Sequence, residues 1–157
     1  MTERPKLLML VGPPCSGKST WVDNNFPTTP ILSTDRYIEQ YANLAQKTYS
    51  EVFSEAFTLA NQKMYSDLQI YTEADMDIIW DQTNLTLKSR KGKLNKIPNH
   101  YLKYAICFTI SENEFIARND YRAQNGKNIG LNLFRDMQAS YIMPTSAEGF
   151  DTIIQVN

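Results

Sequence analysis

The chain has 157 residues, 42% of them hydrophobic and 21% charged, with a net charge of −1. These values describe one ordinary soluble domain and exclude a globally basic nucleic-acid coat, though not a local basic patch. No apolar run approaches membrane-spanning length, the N-terminus does not resemble a signal peptide, and Cys15 and Cys107 lack metal-ligand spacing, so a reducing cytosol is the expected setting.

Lys6 to Val11 is continuously apolar after its first residue, as a strand buried on both faces should be. It runs into Gly12-Pro13-Pro14-Cys15-Ser16-Gly17-Lys18-Ser19, which matches G-x-x-x-x-G-K-[ST]. Thr20-Trp21-Val22 then begins a helix, so the motif has the strand and helix flanks it requires. Such a loop turns backbone N–H groups inward, and the helix adds its N-terminal donors and dipole, making a cradle for a polyanion. Lys18 can reach the β- and γ-phosphates of a bound nucleotide, and the Ser19 hydroxyl is a hard oxygen ligand suited to Mg²⁺.

The first helix is expected to end near Asn24-Asn25, and Ile31-Leu32-Ser33 reads as a short second strand. A helix carrying Tyr37, Ile38, Tyr41, Leu44 and Ala45 follows. Thr48 and Glu51 form a capping box for a long helix with one core stripe: Val52, Ala56, Leu59, Met64, Leu68 and Tyr71. Asp77 to Asp81 is the third strand, ending in Gln82-Thr83-Asn84. The next helix holds Leu87, Leu94 and Ile97, ends at Pro98, and carries Lys88, Arg90, Lys91, Lys93 and Lys96 with no acid among them. That basic run suits either a nucleic-acid backbone or a solvated face. Tyr101 to Ile110 is the fourth strand, and Ser111 and Glu114 cap a helix containing Phe115, Ile116, Arg118 and Arg122. Ala123 to Gly130 is polar and glycine-containing, so a small lid is expected over about 115–130. Leu133, Phe134, Met137 and Tyr141 mark a last helix stopped by Pro144, and Phe150 to Val156 is the fifth strand. His100 reads as a surface residue with no metal or catalytic role.

Strands alternating with helices predict a single α/β domain over 1–157, with a five-stranded parallel sheet covered by helices on both faces. In such sheets the ligand crevice lies outside the carboxyl ends of the strands. The phosphate loop follows strand one, Asp35 follows strand two, and Asp81 ends strand three, so all three point at one crevice. Asp35 suits a general base that takes the proton of an acceptor hydroxyl, or else an N-cap for a helix starting at Arg36. Asp81 suits a Mg²⁺ partner through water, an orienting group for the acceptor or for Lys18, or an ordinary strand-end turn. Arg118 and Arg122 lie one helical turn apart and suit either a lid folded over a transferring phosphate or a solvated helix face.

Taken as a set, Gly12 to Trp21, Ser33-Thr34-Asp35-Arg36-Tyr37 and Asp81-Gln82-Thr83-Asn84 resemble the kinase domain of the polynucleotide 5′-hydroxyl kinases, a P-loop kinase family that includes phage end-healing kinases and eukaryotic kinase/phosphatase repair enzymes. Arg118-Asn119 with Arg122 is similar to that family's lid, and Pro144 to Phe150 to its approach to the last strand. The resemblance implies a P-loop NTPase fold and transfer of the ATP γ-phosphate to a 5′-hydroxyl end of DNA or RNA, with Mg²⁺. It implies that Gly12, Pro13, Pro14, Cys15, Ser16, Gly17, Lys18, Ser19, Thr20, Arg118 and Arg122 bind the nucleotide, with Lys18, Asp35 and Arg122 catalytic. Ser19 and Asp81 would serve the metal. Asp35, Arg36, Asp81, Thr83, Asn84 and Arg90 would meet the acceptor. A ligase or phosphatase partner, a phage-encoded origin and no membrane association complete the expectation. Two departures stand out. Phage members carry an arginine three residues beyond the base where this chain has Ile38, so acceptor grip either differs or comes from Arg36. Phage members shift the third-strand acid by one place, whereas Asp81-Gln82-Thr83-Asn84 follows the eukaryotic pattern; 3′-end processing is not expected of this chain. The alternatives are a small-molecule kinase for a nucleoside, sugar or antibiotic, and a non-catalytic nucleotide-binding module.

Overall fold

The apolar run Lys6–Val11 forms β1, the middle strand of a five-stranded, wholly parallel sheet. The computed structural model describes residues 3–124 and 126–156. After β1 come α1 (Lys18–Asn25), β2 (Ile31–Leu32), α2 (Thr34–Ala45), α3 (Tyr49–Glu73), β3 (Ile78–Asp81) and α4 (Leu87–Leu94). Then follow β4 (Leu102–Phe108), α5 (Glu112–Ala123), α6 (Leu131–Ser140), a 3-10 turn (Ser146–Glu148) and β5 (Thr152–Val156). The strand order is β2-β3-β1-β4-β5, so the chain goes outward on one side of β1 and then crosses to the other.

Side-chain alternation along β1 separates two cores. Leu7, Met9 and Val11 face Met64 and Leu68 of α3 and Leu94 of α4. Leu8 and Leu10 face Val22 of α1, with Trp21 and Phe26 at its edge. Each such side chain, buried fully, contributes about 1.5–3 kcal/mol, which is why a strand hydrophobic on both faces belongs at the centre. The cover thins at the β5 edge, where Thr152, Ile153, Ile154 and Gln155 are exposed while Val156 packs against the α1-side core. The apolar stripes also need correcting: Tyr41, Leu44, Leu59, Leu87, Ile116 and Leu133 are exposed, and Ala60 takes the core place in α3 that the stripe gives to Leu59.

Local signals set the helix ends. Thr48 and Glu51 make the reciprocal capping box that starts α3. The Ser111 hydroxyl accepts the Glu114 N–H to start α5. Ser33, not Asp35, caps α2, its hydroxyl accepting from the Arg36 N–H at 3.4 Å. Gly92 is tolerated within α4, and α6 ends at Ser140, ahead of Pro144. Among the described residues, no helix is long and apolar enough to cross a membrane.

Candidate active site

The carboxyl ends of β1, β2 and β3 open on a cleft of about 1820 Å³. Its floor is the loop between β1 and α1. That loop needs unusual backbone: Gly17 has φ 95° and Cys15 has φ 65°, both left-handed. Gly12 is a close approach of another kind. A Cβ there would lie 2.9 Å from both Cβ and the carbonyl oxygen of Phe108, so a side chain would push the loop off β4. Gly12 N–H donates to the Thr83 carbonyl at 2.9 Å, and Ser16 Oγ donates to the Pro13 carbonyl at 2.7 Å. The Lys18 ammonium folds back onto the loop, donating to the carbonyls of Gly12 (2.6 Å) and Pro13 (3.1 Å). Burial pushes its pKa down to about 8, against the upward pull of Asp81 and Asp35. Ser19 and Thr20, at the start of α1, are exposed on the cleft wall.

Asp81 is buried at the end of β3, and burial raises its pKa, while Lys18 and Arg36 draw it back. Asp35 lies in the first turn of α2 with its side chain half exposed to the cleft. Because Ser33 takes the capping work, the Asp35 carboxylate is left for other partners. Its Oδ1 accepts from the Tyr49 hydroxyl at 2.6 Å, and its Oδ2 lies 3.6 Å from the Lys127 ammonium. Burial and the carboxylate raise the Tyr49 pKa, so its hydroxyl remains the donor. Arg36, beside Asp35, has a buried Nε with no hydrogen-bond partner among the described residues, and its guanidinium also reaches Asp23 at 3.8 Å.

From the other wall, α5 sends two arginines to the loop. Arg118 donates to the Cys15 carbonyl at 2.7 Å, and Arg122 donates to the Cys15 sulfur at 2.8 Å. The helix is anchored by Phe115, which stacks on Phe134 of α6 with centroids 3.9 Å apart. Beyond α5 the chain reaches across to the α2–α3 corner. The Gly126 carbonyl accepts from both Ser50 N–H (3.2 Å) and Ser50 Oγ (2.7 Å), while Lys127 donates to Glu39 at 2.7 Å and lies 4.8 Å from the Tyr49 ring centre.

The cleft thus gathers Pro14 to Thr20, Asp35, Arg36, Asp81, Thr83, Arg118 and Arg122, with Gly12 and Pro13 buried beneath. Two expected acceptor residues lie elsewhere. Arg90 is wholly buried, giving Nε and Nη2 to the Glu148 carboxylate (2.8 and 3.2 Å) and Nη1 to the Asn84 carbonyl (2.9 Å). Asn84 is buried too, with φ 50°, and its amide donates to the Leu10 carbonyl at 2.8 Å. Both hold the end of β3 against β1 rather than facing a ligand. Lys93 donates to Asn84 Oδ1 and is only half-exposed, and Arg90 is buried, so the basic run on α4 is not a continuous exposed stripe. Tyr49, Lys127 and Glu39 were not singled out from the sequence. Asp35 and Glu39 are one turn apart on α2, and Lys127 is the one cation between Ala123 and Gly130, which is the available signal.

The family described as AAA domain matches residues 7–144. Among solved structures, a chain of the Pnkp1/Rnl/Hen1 RNA repair complex is similar at 21% identity and TM-score 0.68, covering 89% of this chain. This chain spans 45% of that chain's length. A gluconokinase from Sinorhizobium meliloti is similar at 16% identity and TM-score 0.54, covering 99% of this chain and 83% of its own. A chain from the PezAT toxin-antitoxin system of Streptococcus pneumoniae is similar at 15% identity and TM-score 0.61, covering 99% and 68%. These likenesses show a shared fold, the parallel α/β architecture of P-loop kinases.

Proposed function

We propose that this chain, which belongs to the AAA domain family, transfers the γ-phosphate of ATP to the 5′-hydroxyl end of a polynucleotide. The phosphate loop takes the donor, with Lys18, Arg118 and Arg122 around its phosphates. Asp35 takes the proton of the 5′-hydroxyl as its oxygen bonds to the γ-phosphorus and the bond to ADP breaks. The observation that carries this reading is that Asp35, relieved of capping by Ser33, faces the same cleft as Lys18 from a separate element. Asp35 lies close enough to Lys18 to pull its pKa upward against the effect of burial.

The donor set fits Mg²⁺: an exposed Ser19 hydroxyl and the Asp81 carboxylate are hard oxygens, and Mg²⁺ takes few protein ligands besides phosphates and water. Held there, Mg²⁺ would supply charge neutralisation on the donor phosphates. Arg36 supports a polynucleotide acceptor, since its guanidinium lines the cleft beside Asp35 and suits the phosphate that follows the terminal nucleoside. The resemblance to the polynucleotide 5′-hydroxyl kinases and the likeness to a chain of an RNA repair complex support the same choice. A ligase or phosphatase working beside it belongs to this proposal.

The test is transfer of labelled phosphate from ATP to DNA and RNA oligonucleotides with free 5′ ends, against a panel of nucleosides and sugars. We expect the oligonucleotides to be labelled. Asp35→Asn should lower transfer by about 10²-fold or more while ATP affinity stays close to normal. Full turnover in that variant removes Asp35 from the mechanism, and labelling confined to sugars or nucleosides replaces the acceptor assigned here.

A further inference from the structure

We propose that one face of α3 is a stacking ladder for the bases of a single-stranded acceptor, an inference that rests on the polynucleotide reading above. Tyr49, Phe53 and Phe57 recur one helical turn apart, with ring centres separated by 5.7 and 5.5 Å. Phe53 and Phe57 are 42% and 43% exposed, which is unusual for consecutive phenylalanines on one helix. The ladder is continuous with the candidate active site. Tyr49 bonds the Asp35 carboxylate, and Tyr49 and Phe53 both line the cleft. Since α3 leads into the amino end of β3, it runs from the cleft rim down the side of the domain. A strand whose 5′ end sits at Asp35 would follow the same line.

The chemistry beside the rings suits that occupant. Ser50, Ser54 and Thr58 form a hydroxyl row next to the aromatic one. Glu51 and Glu55 stand about 160° away around the helix from Phe53 at roughly 100° per residue, so no carboxylate of α3 crowds the rings. Lys127 caps the upper end over the Tyr49 ring. A ring spacing well above the ~3.4 Å rise of a stacked strand suits bases opened from one another, not the end of an intact duplex. Aromatic platforms bind single strands in this sequence-tolerant way, each stacked base contributing roughly 5- to 150-fold in affinity.

The experiment compares KM for a nucleoside 3′-monophosphate with KM for DNA and RNA oligonucleotides of increasing length, using wild type, Phe53→Ala/Phe57→Ala and Phe53→Tyr/Phe57→Tyr. The Ala pair should raise the oligonucleotide KM relative to the mononucleotide KM by about tenfold or more. The Tyr pair, which keeps the ring faces, should restore the wild-type ratio. An unchanged ratio in an Ala pair that still labels oligonucleotides overturns the ladder and leaves the kinase reading standing. If wild type labels no oligonucleotide, both fall. If the rings bury a second copy of the chain, seen as a concentration-dependent dimer that the Ala pair returns to monomer, the ladder is likewise overturned.

Discussion

Lys18 is a cation placed where a cation is hard to hold. Burial lowers its pKa to about 8; Asp81 and Asp35 are the main groups that oppose this, and Arg122 adds to it. With a folded-state pKa below its ordinary 10.5, Lys18 subtracts stability at neutral pH, and that loss relaxes as pH rises from about 8. Bound phosphates favour the charged form. ATP binding at about pH 9 should therefore draw a proton onto Lys18, while at about pH 6, where it is already charged, it should not. Calorimetry in buffers of different ionisation heat reads this directly, and equal proton uptake in Lys18→Ala would assign it elsewhere. The G-x-x-x-x-G-K-[ST] motif made this residue legible, because backbone, charge and hydroxyl all sit within eight consecutive positions. Arg90 shows the opposite case. Its partner Glu148 lies 58 positions away, and a basic residue among lysines gives no hint that it is fully buried. Arg90→Ala should cost about 3–5 kcal/mol by leaving Glu148 without its charge partner. Chemical denaturation measures that, and a change confined to acceptor KM would contradict the structural assignment.

At the scale of elements, α5 and the loop after it join both sides of the cleft. The helix meets the phosphate loop at Cys15, and Gly126 and Lys127 meet the α2–α3 corner at Ser50, Asp35 and Glu39. The contact depends on Gly126, which has φ +78° and would bring a Cβ to 2.4 Å from Thr48 Cβ. Gly126→Ala should lift this loop from the corner, speed tryptic cleavage after Lys127, and slow phosphoryl transfer by about 10²-fold through misplacement of Asp35 and Arg122. Cleavage at the wild-type rate would show that the loop holds by other means. Helix starts were readable because Thr48/Glu51 and Ser111 are local signals. The docking of 126–127 was not, since it joins residues some 75–90 positions apart through a turn that polar composition alone leaves undefined.

For the molecule as a whole, alternating strands and helices foretold a parallel sheet with its crevice at the carboxyl ends. They could not order the strands, because neighbours such as β1 and β4 pair across about 95 residues. Nor did they show that β5 is the thinly covered edge of the sheet. Binding at the crevice must stabilise the whole fold, since the phosphate loop is continuous with the central strand. A non-hydrolysable ATP analogue with Mg²⁺ at about 100 times its Kd should add ~2.7 kcal/mol, raising Tm by about 5–10 °C for a chain of this size. Lys18→Ala should lose most of that shift in a thermal-denaturation scan.

The two tryptophans divide between the cores in a useful way. Trp80 is fully enclosed in β3, whereas Trp21 is only half-buried, packs on Phe26 and Phe108, and borders the cleft two positions after Ser19. Trp21 is therefore placed as a built-in optical probe: its emission should change as a nucleotide enters the cleft, with no dye to attach.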